Sequence, residues 1–155
     1  MQKYFKSGKN IMSGLSTDRT EGALEHEGGR PGDLTILVAD RNPRIRGLVE
    51  RELRDAGYRV FAVDSVSQLR SWIAPERLPD LLILDPDLPG GGPVDHIWPL
   101  LRRYPRLPVV FHCLGTDIPG PMPRMAFTVI VEKSADSIDL LKRQIVLLLR
   151  KKHQD

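Results

Sequence analysis

The chain has 155 residues, near the usual size of one domain and long enough to bury a core without disulfides or a structural metal. Its 41% hydrophobic and 28% charged residues exclude a wholly disordered chain, a collagen and a disulfide scaffold. A formal net charge of +3, from 23 basic and 20 acidic residues, is too balanced to mark a nucleic-acid binder, and the single Cys excludes a cysteine-rich zinc site. One Cys also fits a reducing compartment. No apolar run approaches the ~20 residues of a membrane span, and the opening MQKYFKSGKNIMSG lacks the apolar centre of a signal peptide. A soluble, cytoplasmic protein with no nucleic-acid and no membrane partner is expected.

Residues 1–32 are rich in Gly, Ser, Thr and charge, without a sustained period, and are expected to form a flexible tail before a domain over 33–155. Met12 inside that tail could be the translation start. LTILVAD (34–40) is a short apolar run that predicts a buried strand. A helix should follow over 42–58: Asn42 suits the N-cap, Pro43 the first turn, Ile45, Leu48, Val49 and Leu53 one apolar face, and Gly57 the stop. RVFAVD (59–64) predicts a second strand. Ser65 caps a helix through Leu69, Trp72 and Ile73, and Pro75 stops it. LLILD (81–85) is a third strand, apolar until its last residue.

PVDHIWPLLRRY (93–104) has a helical pattern in which Pro99 should kink or delay the helix. PVVFHC (108–113) is a fourth strand. In LGTDIPGPMPRMA (114–126), Pro119, Pro121 and Pro123 disfavour a regular helix. FTVIVE (127–132) is a fifth strand. SADSIDLLKRQIVLLLRKK (134–152) is a closing helix with a Ser cap, acids in its first turn and bases in its last. Strands that alternate with helices imply an α/β fold, a parallel sheet covered on both faces, and such sheets bind ligands at the carboxyl ends of their strands.

Charged residues gather at those ends. The first strand ends in Asp40-Arg41, the third in Asp85 before Pro86-Asp87-Leu88-Pro89-Gly90, the fourth in His112-Cys113 and the fifth in Glu132-Lys133. An acid closing an apolar strand is costly to place without a partner. Three other signals are set aside. His96 has no second well-placed His. Gly90-Gly91-Gly92 lacks the Gly-Lys-Ser/Thr ending of a phosphate loop. The basic RKK at 150–152 answers a helix dipole.

Taken together, ILVADRNPRIR, PDLLILDPDLPGG, LPVVFHC and VEK resemble the receiver domain of bacterial response regulators, over about residues 34–152. The resemblance implies a CheY-like, flavodoxin-like fold: a doubly wound five-stranded parallel sheet of order 2-1-3-4-5, here with its fourth helix degraded or missing. It implies that Asp85 is the phosphoacceptor, that Asp40 is the first of an acid pair, and that Lys133 pairs with the phosphoryl oxygens. It further implies a Mg²⁺ site at Asp40, Asp85 and the backbone carbonyl of Asp87, and a histidine kinase or phosphotransfer protein as donor. A downstream protein target would read the signal, and the oligomeric state stays open.

The sequence departs from that pattern at several positions. Arg41 stands where the second acid is expected and offers no oxygen to a hard cation, so Mg²⁺ should bind weakly. Asp87 could supply a replacement carboxylate, or the Arg41 guanidinium could stand where the metal would; the third reading is that Arg41 points to solvent. At ~4 Å and an effective dielectric near 20, one opposite charge is worth about 4 kcal/mol gross, enough to stabilise an ionised Asp85 without a metal. Cys113, a weak donor, holds the Ser/Thr switch position, with Thr116 as a substitute if the loop shifts. Leu114 replaces a small residue and is expected to crowd the site. Ile130 replaces an aromatic and Ser134 a proline. Two functions follow: a phosphorylated single-domain receiver, or a degenerate receiver that binds its partner constitutively. Both are signalling modules rather than turnover enzymes. A flavin or nucleotide enzyme is disfavoured, because the chain lacks a phosphate loop and a nucleophile–base pair.

Overall fold

The computed structural model describes residues 30–90, 97–115, 118 and 125–155. After a 3-10 turn at Pro31–Asp33, the chain runs β1 (Thr35–Ala39), α1 (Pro43–Asp55), β2 (Arg59–Val63), α2 (Val66–Trp72), β3 (Leu81–Leu84), α3 (Trp98–Arg102), β4 (Val109–Cys113), β5 (Thr128–Glu132) and α4 (Ser137–Gln154). The five strands form one sheet of order β2-β1-β3-β4-β5, and every pairing is parallel. This is the doubly wound arrangement expected from the alternation of strands and helices. Among the described residues no helix lies between β4 and β5; residues 116–117 and 119–124, where the fourth helix is expected to be lost, lie outside them. So do residues 1–29, with Met12, and residues 91–96, with His96.

Strand alternation divides the core in two. Ile36 and Val38 of β1 face α1 and α4, together with Val49, Leu53, Val110, Leu141 and Ile145. Leu37 and Ala39 face α2 and α3, with Leu69, Leu82, Trp98, Leu101 and Phe111. The central strands β1, β3 and β4 are buried on both faces, which is why they read as unbroken apolar runs.

The helix signals hold where side chains reach backbone. The Asn42 side chain accepts from the N–H groups of Arg44 and Ile45, with Pro43 opening α1. Gly57 ends that helix region at φ +97°, a conformation that disfavours any side chain. Ser65 accepts from Gln68 N and caps α2. Two expectations are corrected, at Leu48 and at the start of the closing helix, and the delay expected at Pro99 is met. Leu48 lies on the solvent side of α1, while Val49 and Leu53 carry its buried face. The described helix α3 begins at Trp98 and holds Pro99 in its first turn, where the missing N–H is harmless. The closing helix begins at Ser137 rather than after Ser134, whose carbonyl accepts from Ser137 N in a preceding turn.

Candidate functional site

The register of the sheet builds the site. Ala39 of β1 pairs with Leu84 of β3, so the next residues, Asp40 and Asp85, emerge side by side at the carboxyl edge. Asp85 N donates to Ala39 O at 2.8 Å and fixes that step. On the far side of β4, Lys133 N donates to Cys113 O at 2.7 Å, which carries the residue just past the β4–β5 ladder into the site. A β-turn then closes over Asp85. Leu88 N donates back to Asp85 O, with Pro86 in the turn position its fixed φ favours, and Asp87 N donates to Asp85 Oδ1 at 2.9 Å.

Two adjacent carboxylates, both almost fully buried, need compensation. Lys133 supplies it: its Nζ lies 2.9 Å from Asp40 Oδ2 and 3.2 Å from Asp85 Oδ2. The ammonium is itself mostly buried, so its attraction to both acids is screened little by water. Asp40 Oδ1 accepts from Asn42 N at 2.8 Å, and Arg46 Nη1 donates to the Asp40 carbonyl at 2.8 Å. Arg41 lies across the mouth. Its Nε is 3.7 Å from Asp85 Oδ2 and its Nη2 is 3.6 Å from Asp87 Oδ2, with the side chain half exposed. The reading of Arg41 as a residue pointing only to solvent is thereby corrected.

The structure thus brings together Asp40, Asp85, Asp87, Lys133 and Arg41. Cys113 is buried beside them, and its Sγ lies 3.2 Å from the Gly115 carbonyl, placed to donate to it. Burial, and then the nearby Asp85 carboxylate, push its thiol pKa up, so the sulfur is a neutral, poorly reactive group. Leu114 does not crowd the site: it is 70% exposed. Ile130, at the position of the expected aromatic, also lies at the surface. Thr116 lies outside the described residues.

The donor set does not fit the divalent cation that the resemblance implies. Both oxygens of Asp40 and both of Asp85 already have a backbone N–H or a cation as partner. Asp87 Oδ2 faces Arg41. Among the described residues no group of three His, Cys, Asp or Glu side chains is placed to hold a metal. Two cations, Lys133 and Arg41, face these carboxylates, and Arg41 contributes positive charge where an oxygen ligand would be needed.

One polar residue near the site escaped the sequence reading of its role. His112 of β4 is 2% exposed; its Nε2 lies 3.2 Å from Ser137 Oγ at the start of α4, and its Nδ1 has no hydrogen-bond partner among the described residues. Burial, helped by Lys133 and opposed by Asp85, lowers its pKa to about 4, so the imidazole is neutral at pH 7. No local signal reveals that partnership, because Ser137 is 25 residues away.

No protein-family model matches the chain, and no curated protein matches it. Solved structures do. The N-terminal domain of a response regulator/sensory box/GGDEF protein from Carboxydothermus hydrogenoformans superposes with a TM-score of 0.65 at 21% identity, over 77% of this chain and 97% of that one. The signal receiver domain of an HD domain-containing protein from Pseudomonas fluorescens Pf-5 gives 0.65 at 18%, over 79% and 98%. A structure of the histidine kinase ThkA in complex with the response regulator TrrA gives 0.60 at 24%, over 75% and 98%. Among the described residues no helix is long and apolar enough to cross a membrane. The chain has the fold of a response regulator receiver domain, with Asp40, Asp85 and Lys133 gathered at the carboxyl edge of its sheet.

Proposed function

We propose that the protein is a receiver module of cytoplasmic two-component signalling, in which Asp85 accepts a phosphoryl group from a histidine kinase or phosphotransfer protein. The observation that carries this reading is the bridge made by Lys133 between Asp40 and Asp85. One strand end offers a carboxylate nucleophile. A second offers a lysine able to follow the charge from that carboxylate to a transferred phosphoryl group. A third holds a further acid that keeps the lysine in place. In the reaction an Asp85 oxygen attacks phosphorus, a P–O bond forms, and the P–N bond to the donor imidazole breaks with its electron pair left on nitrogen. Lys133 and Arg41 stabilise the charge on the equatorial oxygens, where phosphoryl transfer needs it. The signal passes to a downstream protein by contact.

A second reading, a receiver that binds its partner without phosphorylation, is favoured by one observation: Asp85 is already satisfied at both oxygens and its side chain is 2% exposed. Intact-mass spectrometry after incubation with acetyl phosphate separates the two. A gain of one phosphoryl group that disappears in Asp85→Asn supports the first. No adduct on the folded protein, with acetyl phosphate and with a phosphorylated histidine kinase alike, supports the second.

A further inference from the structure

We infer that Arg41 is the resident cation of this pocket, so that Asp85 is phosphorylated without a divalent metal. The inference rests on the phosphoacceptor reading of Asp85 and deepens it by naming what replaces the metal.

Asp40, Asp85 and Asp87 place three carboxylates at one strand edge, and Lys133 directly contacts only the first two. Among the described residues, Asp87 is answered by Arg41, through Nη2 at 3.6 Å, while the Nε of the same guanidinium reaches Asp85 Oδ2 at 3.7 Å. One planar cation therefore spans two acids of the Asp85–Leu88 turn. A divalent ion shared by those acids would have to approach the same oxygens.

Geometry makes Arg41 suited to a transferred group. Contacts of 3.6 and 3.7 Å are longer than a direct N–H to O⁻ hydrogen bond, so the guanidinium is near the carboxylates without being locked to them. Half of its side chain is exposed, which leaves room to draw back as a phosphoryl donor enters and to return over the new oxygens. The planar fork offers two parallel N–H donors to two phosphoryl oxygens, a geometry an ammonium lacks. Lys133, held from the buried side by Asp40, and Arg41, on the solvent side, would grip the group from opposite directions.

The fixed charges also act against a metal. Lys133 sits between Asp40 and Asp85, and Arg41 lies between Asp85 and Asp87, so an incoming dication would meet a cation at each pair of acids. With acetyl phosphate as donor the step balances without one. An Asp85 oxygen forms the new P–O bond, the bond from phosphorus to the acetyl oxygen breaks, and acetate leaves with the electron pair; no proton moves.

The test uses the full chain, acetyl phosphate and three proteins: wild type, Arg41→Ala and Arg41→Asp, with Asp85→Asn as the site control. Intact mass gives the rate of adduct formation with Mg²⁺ and with a chelator, and calorimetric titration with MgCl₂ gives binding independent of the reaction. Circular dichroism establishes that each variant is folded. The expected result is an Asp85-dependent adduct in wild type at the same rate in both media, and a loss of about a hundredfold in Arg41→Ala. Saturable Mg²⁺ binding should be found in Arg41→Asp and not in wild type. A wild-type adduct that requires Mg²⁺, or an Arg41→Ala rate equal to wild type in chelator, overturns the inference while leaving Asp85 as the acceptor. An absence of adduct in every protein and medium overturns the phosphoacceptor reading itself, and the inference with it.

Discussion

Acid should destabilise this protein through one buried imidazole. His112 sits at the end of β4 with no partner for Nδ1 among the described residues, and protonation would place an N–H and a positive charge in an apolar interior near Lys133. Its folded pKa is about 4 against an ordinary 6.5. Between those values the unfolded chain binds the proton and the folded chain does not, so stability falls as pH falls. The full separation corresponds to about 3 kcal/mol, with about 2 kcal/mol already lost at pH 5. Against the ~5–15 kcal/mol of a typical domain this is a large share. Urea melts from pH 7 to 4 on wild type and His112→Leu isolate the effect, since the exposed carboxylates titrate alike in both. Leu gives up the Ser137 contact but leaves no group to charge. The difference between the two proteins should swing by about 2–3 kcal/mol in favour of Leu toward pH 4. Parallel curves would refute the assignment of the acid sensitivity to His112.

Two further outcomes bear on the elements that flank the site. Asn42→Ala removes the cap of α1 and should cost about 1 kcal/mol in urea melts; a change indistinguishable from zero would mean that the two N–H groups it caps are served equally well by water. Cys113 should react with iodoacetamide at pH 8 at least about tenfold more slowly in the folded protein than in urea, because burial and Asp85 disfavour its thiolate; equal rates would show the thiol to be open.

Much of this architecture was legible because it is written locally. An apolar run that ends in a charge gave Asp40 and Asp85, and Asn42-Pro43 and Gly57 bracket α1 with groups that act within a few residues. Lys133 was legible as a charge at the end of the fifth strand, but its role was reached through resemblance, since nothing near it in sequence says that its ammonium crosses to β1 and β3. What escaped depends on contacts between distant residues. The start of α4 is set by a turn from Ser134 to Ser137 and by the burial of Ser137 beside His112, not by the nearest capping residue. Leu48 belongs to the apolar face of α1 by spacing, yet the core takes only Val49 and Leu53 as fully buried residues of that helix. Leu114 was expected to crowd the site from its position in the chain, but the backbone beyond β4 turns its side chain outward.

The three charged residues at the strand ends have a consequence for how the molecule is assembled. Asp85 and Lys133 are 48 residues apart, and no short stretch of chain contains the site. The pairing of β1 with β3 alone holds Asp40 and Asp85 together with no ammonium between them. The parallel pairing of β4 with β5 delivers both hydrogen bonds and the bridging charge. β5 is also an edge strand, held laterally by β4 alone. Because strand side chains alternate with a period of two, a slip of one residue in that last pairing would turn Lys133 to the opposite face and leave the two acids uncompensated. The ion bridge thus acts as a check on register: the chain gains its full electrostatic stabilisation only when its outermost strand is seated in the correct frame.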